Sequence, residues 1–177
     1  MIRKAVERDL PAVSAIYERI HRREEAGLGS TGWKRGVYPT GETARAALAA
    51  GELFVDAREG KIVAAARINR EQVPEYALCR WQYAAPEEKI MVLHTLTVDP
   101  KASGQGVGSG FVAFYEQYAR ENGCVCLRMD TNEINAPARA LYRRLGYREA
   151  GVVPCDFQGL GQIRLVCLEK ALENARP

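Results

Sequence analysis

Val98 to Phe111 reads Val-Asp-Pro-Lys-Ala-Ser-Gly-Gln-Gly-Val-Gly-Ser-Gly-Phe, a glycine-dense loop that leaves a β-branched run and opens an amphipathic helix. The first N–H groups of a helix lack intrahelical partners and stand at the positive end of its dipole, so such a junction suits a phosphate. Gly104, Gly106, Gly108 and Gly110 would let that phosphate approach bare backbone. Two nucleotide fingerprints fail here. Ser109 or Phe111 stands where G-x-G-x-x-G needs its third glycine, and no Gly-Lys-Ser/Thr follows to make a P-loop. An ordinary glycine-rich turn is the competing reading.

Two cysteines, Cys124 and Cys126, fall two apart on an expected strand and so share one face, which allows an acyl-cysteine intermediate. Small apolar core residues are the better account of them. The chain has five cysteines, no C-x-x-C and two histidines, which argues against a disulfide framework and a zinc site and for reduced thiols. His21 falls on an expected exposed helix and is set aside.

These residues need a scaffold, and 177 residues suffice for one domain with a single sizeable core, taken here as residues 1–177. A composition of 47% hydrophobic and 27% charged residues is that of a soluble globular protein, and a net charge of +3 with scattered basic residues gives no nucleic-acid or membrane footprint. Apolar runs such as Ile62 to Ala66 are too short to cross a bilayer. Arg3, Glu7, Arg8 and Asp9 stand where a signal peptide needs an apolar segment, so the cytoplasm is the expected location.

Ile2 to Val6 alternates as a strand, and Asp9 with Pro11 starts a helix carrying Val13, Ile16, Tyr17 and Ile20. Residues 27 to 41 hold five glycines and form an irregular connector before a helix over Glu42 to Ala50. Leu53 to Ala57 and Ile62 to Asn69 read as a hairpin, and residues 70 to 88 as an aromatic excursion packed on the body. Strand Ile90 to Val98, helix Gly108 to Asn122 and strand Cys124 to Met129 form a crossover, which makes those strands parallel. A short helix with Ala138, Leu141, Tyr142 and Leu145 on one face follows, then strands over Tyr147 to Val153 and Gln162 to Leu168.

Gln105, Gly108 and Gly110 fill Q-x-x-G-x-G, and Asn135, Ala138, Leu141, Tyr142, Gly146 and Tyr147 fill N-x-x-A-x-x-L-Y-x-x-x-G-F/Y. With both motifs, and with the element order β-α-α-β-β-β-α-β-α-β-β over residues 1 to about 170, the chain resembles the GNAT superfamily of acyl-CoA N-acyltransferases. The resemblance implies an α/β fold (a mixed α+β sheet): a central, mostly antiparallel sheet with one splayed parallel pair and helices on both faces. It also implies transfer of an acetyl group from acetyl-CoA to a primary amine by direct attack in a ternary complex. By resemblance, Gln105, Gly106, Val107, Gly108, Ser109 and Gly110 cradle the pyrophosphate, and the backbone of Leu96 and Val98 receives pantetheine as an added strand would. The matching asparagine of the family, here Asn135, touches the pantetheine arm; helix capping explains Asn135 equally well.

An alkyl amine with a pKa of about 10.4 needs a base at pH 7, and the departing thiolate benefits from an acid. Tyr142 matches the tyrosine acid of the family, although it also continues an apolar stripe. His94, in the strand Leu93-His94-Thr95-Leu96-Thr97-Val98, resembles the histidine near the acceptor amine in the arylalkylamine branch; a pKa of about 6.5 suits a base, and a satisfied sheet histidine is the alternative. The aromatic residues Trp33, Tyr38, Tyr76, Trp81 and Tyr83 are expected around the amine pocket or over the core, with Glu24, Glu25 and Glu75 as nearby acids. A small-molecule amine is the first acceptor; a protein lysine or N-terminus, or a CoA-binding regulatory module without turnover, are the alternatives. No metal or further cofactor is implied, and the expected assembly is a monomer or homodimer.

Overall fold

The computed structural model describes residues 1–157 and 159–172. Its elements are β1 (Ile2–Lys4), α1 (Leu10–Glu25), α2 (Gly41–Ala49), β2 (Leu53–Arg58), β3 (Lys61–Asn69), β4 (Ile90–Val98), α3 (Val107–Glu121), β5 (Cys126–Asn132), α4 (Ala136–Arg144), β6 (Arg148–Asp156) and β7 (Gln162–Ala171). The strands form one sheet in the order β1-β2-β3-β4-β5-β7-β6, antiparallel throughout except for the central β4–β5 pair. This is the expected fold and order. No helix among the described residues is long and apolar enough to cross a membrane.

Because side chains alternate across a strand, each central strand feeds two cores. Phe54, Ala64, Ala66, Met91, Leu93, Leu127 and Leu168 face α3 and α4. On the opposite face, Leu53, Val55 and Ala65 pack under α1 and α2. Further along that face, Val92, Cys126, Leu165 and Cys167 lie under the excursion that carries Tyr76, Trp81 and Tyr83. Fully buried Glu169 fixes this excursion by accepting from the N–H groups of Gln82 (2.8 Å) and Tyr83 (3.2 Å) and pairing with Arg148. A gap remains between the α1–α2 cover and the excursion, and the functional cavity lies there.

Three local readings change. Cys124 precedes β5, its N–H bonding Ala119 O (2.9 Å), so strand alternation does not relate it to Cys126; the two thiols sit in cores on opposite faces of the sheet. An acyl-cysteine site made by the pair is therefore excluded by geometry. His21 is buried, 1% exposed, with Nε2 2.8 Å from Pro39 O, because the 27–41 connector folds back over α1. Asp9 makes no side-chain cap on α1; its carboxylate instead takes the Val6 N–H (2.9 Å) and the Arg3 guanidinium (2.6 and 3.0 Å).

Candidate functional site

The site begins where the parallel pair stops pairing. β4 and β5 are in register from Ile90↔Cys126 to Leu93↔Met129, and from His94 onward β4 has no partner on that side. On its other side the register with β3 skips: Arg67 opposes His94 while Ala65 opposes Thr97, so β4 carries one extra residue. Thr95 sits in this bulge with φ +52°, a left-handed conformation that a β-branched residue rarely adopts and that costs about 1–3 kcal/mol. Residues 93 to 96 all contribute atoms to the wall of one cavity.

Two cavities open from the splay. A cleft of about 650 Å³ runs along Leu96 and Val98 to the start of α3, where Gly106, Val107, Gly108 and Ser109 line it. Gly106 takes φ +70° to turn the chain into the helix, leaving the N–H groups of Val107, Gly108 and Ser109 without intrahelical acceptors. A Cβ on Gly108 would stand 3.2 Å from Leu141 Cδ2, so only glycine fits between α3 and α4 there without displacing a neighbour. Arg23 and Arg144 add positive charge at the rim. Gln105 and Gly110 do not reach the cleft: the Gln105 carbonyl faces Arg58 (3.5 Å), and the Gly110 N–H is already spent on Gly106 O (2.9 Å).

The second cavity, about 380 Å³, lies on the opposite side of the splay between α1, α2 and β5. Tyr142, 6% exposed, is in the wall of both cavities. Burial pushes its phenol pKa up, so it stays protonated. His94 lines the cavity with Nε2 2.9 Å from Asn69 Oδ1. Burial, helped by the Arg67 guanidinium, pushes its pKa down to about 4, so the imidazole is neutral at pH 7 and a weaker base than the sequence reading assumed.

Residues 14–147 match the acetyltransferase (GNAT) family. The chain belongs to the GNAT acetyltransferase family. It is similar to an uncharacterized N-acetyltransferase, YhfO, of Bacillus subtilis, 37% identical over 62 residues that cover 35% of this chain and 42% of YhfO. It is also similar to streptothricin acetyltransferase of Streptomyces lavendulae, 30% identical over 77 residues, or 44% of this chain and 40% of the relative. The match thus spans well under half the length of these curated relatives. A solved GNAT-family acetyltransferase from Streptococcus agalactiae shares the fold with a TM-score of 0.80 at 22% identity, covering 97% of this chain and 95% of that one.

Asn135 takes the helix-capping role, one of the two expected of it. It caps α4, accepting from Ala138 N (3.4 Å), takes the Ser30 hydroxyl (3.2 Å), donates to Thr131 Oγ1 (3.1 Å), and lines the second cavity instead of the cleft. Trp33 and Tyr38 line that cavity as expected and are joined by Phe157, while Tyr76, Trp81 and Tyr83 belong to the core beneath the excursion. None of the three anticipated acids lines this cavity. Glu24 is engaged by Thr31 (2.7 and 2.8 Å), Glu25 by Arg35 (2.7 Å), and Glu75 by the Cys155 thiol (3.2 Å).

Two acids do line it: Glu71, which is paired with Arg67 (2.7 Å), and Asp130, one residue past the last β4–β5 pair. Tyr76 donates to its Oδ2 (2.8 Å), no cation pairs with it among the described residues, and burial pushes its pKa up to about 6. The sequence reading ended this strand at Met129.

Proposed function

We propose that the protein transfers the acetyl group of acetyl-CoA to a primary amine of a small molecule by direct attack in a ternary complex. The observation that carries this reading is the meeting of two cavities at Tyr142, one ending at the glycine-rich start of α3 and the other walled by aromatic side chains. The N–H groups of Val107, Gly108 and Ser109 receive the pyrophosphate, with Arg23 and Arg144 supplying charge. The β5-side edge of β4 at Leu96 and Val98, which has no strand partner, receives pantetheine. That leaves the thioester beside Tyr142 and the amine in the second cavity.

When bound, the thioester supplies an activated acetyl carbonyl. The amine nitrogen forms the new C–N bond, the C–S bond breaks, and the sulfur takes its electron pair and the Tyr142 proton. The proton lost by the amine needs a base, and Asp130, with a pKa raised to about 6, is ionised at pH 7 and a stronger base than His94, while Glu71 in the same wall is held by Arg67. His94 then serves as a neutral hydrogen-bonding group toward the amine or a water.

The enclosure of the second cavity favours a small acceptor over a protein, and the similarity to streptothricin acetyltransferase points the same way. The same reading makes residues 1–177 one catalytic domain acting in the cytoplasm, with its five cysteines as free thiols. Thiol release from acetyl-CoA by the purified protein, across small amines, amino acids, polyamines and lysine peptides with both substrates varied, tests it. Intersecting initial-velocity lines with a small amine are expected. Parallel lines would refute the ternary complex, turnover confined to peptides would replace the acceptor, and CoA binding without turnover throughout would leave a regulatory module.

A further inference from the structure

Apart from glycines, only Glu59 and Thr95 have positive φ among the described residues. Glu59 lies in the tight β2–β3 turn, where such a conformation is ordinary. Thr95 lies within β4, and something must hold it there. Its hydroxyl is hydrogen-bonded to the Tyr38 hydroxyl, which reaches the bulged residue itself, while His94 on Asn69 (2.9 Å) and Thr97 on Ala65 O (3.0 Å) tie the flanking residues to β3. Tyr38 comes from the 27–41 connector, 57 residues away, and is itself tightly held. Its ring meets Trp33 edge-on at 5.8 Å and Phe157 at 5.0 Å, and its N–H bonds Lys34 O (3.0 Å). Burial pushes its phenol up to about 12, so the hydroxyl keeps its proton across the working pH range.

The consequence reaches the donor side. The extra residue at the bulge leaves Leu96 without a register partner in β3, and the splay leaves it without one in β5. We propose that the Tyr38 hydroxyl is a positioning group that holds the β4 bulge in its strained form, so that the acceptor-side connector sets the affinity for acetyl-CoA. The connector is built for such a link, since Thr31 and Trp33 line both cavities while Tyr38 buttresses the strand between them. By linkage, an acceptor that steadies Trp33 and Tyr38 tightens donor binding by the same factor that the donor tightens acceptor binding. The proposal rests on the donor-cleft reading above.

Tyr38→Phe separates the hydroxyl from the ring, which continues to wall the cavity. Calorimetry with CoA is expected to show an affinity about five- to tenfold weaker in Tyr38→Phe, the range of one lost hydrogen bond. Glycine adopts positive φ freely, so in a Thr95→Gly background the bulge no longer depends on the phenol, and adding Tyr38→Phe should change CoA affinity less than twofold. Amide exchange of residues 96–98 in the free protein reads the strand without any ligand, and is expected to quicken about tenfold in Tyr38→Phe but not in the Thr95→Gly pair. Wild-type CoA affinity or wild-type exchange in Tyr38→Phe overturns the proposal, as does an undiminished Tyr38→Phe effect in the Thr95→Gly background. If the wild-type protein binds no CoA, the donor reading fails, and exchange alone still decides the role of Tyr38.

Discussion

The cleft proposed to hold the donor and the cavity proposed to hold the acceptor share the wall at Tyr142 and draw on different parts of the chain. About half of the residues lining the cleft come from one stretch, Leu96 to Ser109, which holds the unpaired edge of β4, the glycine turn and the first N–H groups of α3. The cavity is mainly side chain, gathered from Tyr17 on α1 to Leu165 on β7. Backbone recognition demands particular residue types at fixed spacing, because only glycine permits the close approach at Gly108 and the left-handed turn at Gly106. Side-chain recognition has no such grammar. Its members need only converge in space, so it is the half of a site free to change its ligand.

The comparison is broken most severely at the acceptor side. Asp130→Asn should lower kcat/KM about a hundredfold or more while leaving CoA affinity unchanged, as calorimetry and thiol release would show. It should also stabilise the fold. Burial raises the Asp130 pKa from 3.8 to about 6, so the folded state binds the proton more tightly than the unfolded chain does. Stability from this group is therefore highest below about pH 4 and is lost as pH rises through about 6. Asparagine removes that cost, about 1–3 kcal/mol, raising Tm by a few degrees at pH 7.5 with no gain at pH 4.

Tyr142→Phe should reduce turnover about tenfold to a hundredfold with CoA affinity intact, since only the proton on the shared wall is lost. Gly108→Val acts on the other half: contact with Leu141 forces α3 and α4 apart, and CoA affinity should fall more than tenfold while the acceptor KM, at saturating donor, changes little. The acidic limb of the kcat/KM profile sharpens the assignment of the base. An inflection near pH 6 that disappears in Asp130→Asn marks Asp130, whereas one near pH 4 that disappears in His94→Ala marks His94.

The same contrast explains what was legible in the sequence. Alternation predicts the central strands, the β-α-β crossover predicts the parallel pair, and the glycine spacing marks a loop that lines the cleft. Asn135 and Tyr142 were found because they sit at set offsets on one short helix, yet the cavity each one faces depends on how α4 meets the splay. Nothing local distinguishes Asp130 from a strand-end acid; its setting depends on the folded cavity, where its hydrogen-bond donor Tyr76 comes from 54 residues upstream. His94 was visible, but its lowered pKa was not, since that follows from enclosure and from Arg67 across the β3–β4 pair. His21 reversed from exposed to buried for a similar reason: the glycine-rich connector that covers it has no periodicity to announce where it packs.

The smallest expected effect is the most demanding test of separability. Phe157 lines only the acceptor cavity, and its ring meets the Tyr38 ring edge-on at 5.0 Å. Phe157→Leu removes an aromatic pair worth about 0.5–1.5 kcal/mol and part of the flat wall, while the Tyr38 hydroxyl on Thr95 is untouched. Acceptor KM should rise about three- to tenfold, with kcat and CoA affinity each within twofold of wild type. A matching loss of CoA affinity would mean that donor binding depends on the packing of the whole aromatic wall, so that the cavity and the cleft are one device and the backbone alone does not account for how the donor is held.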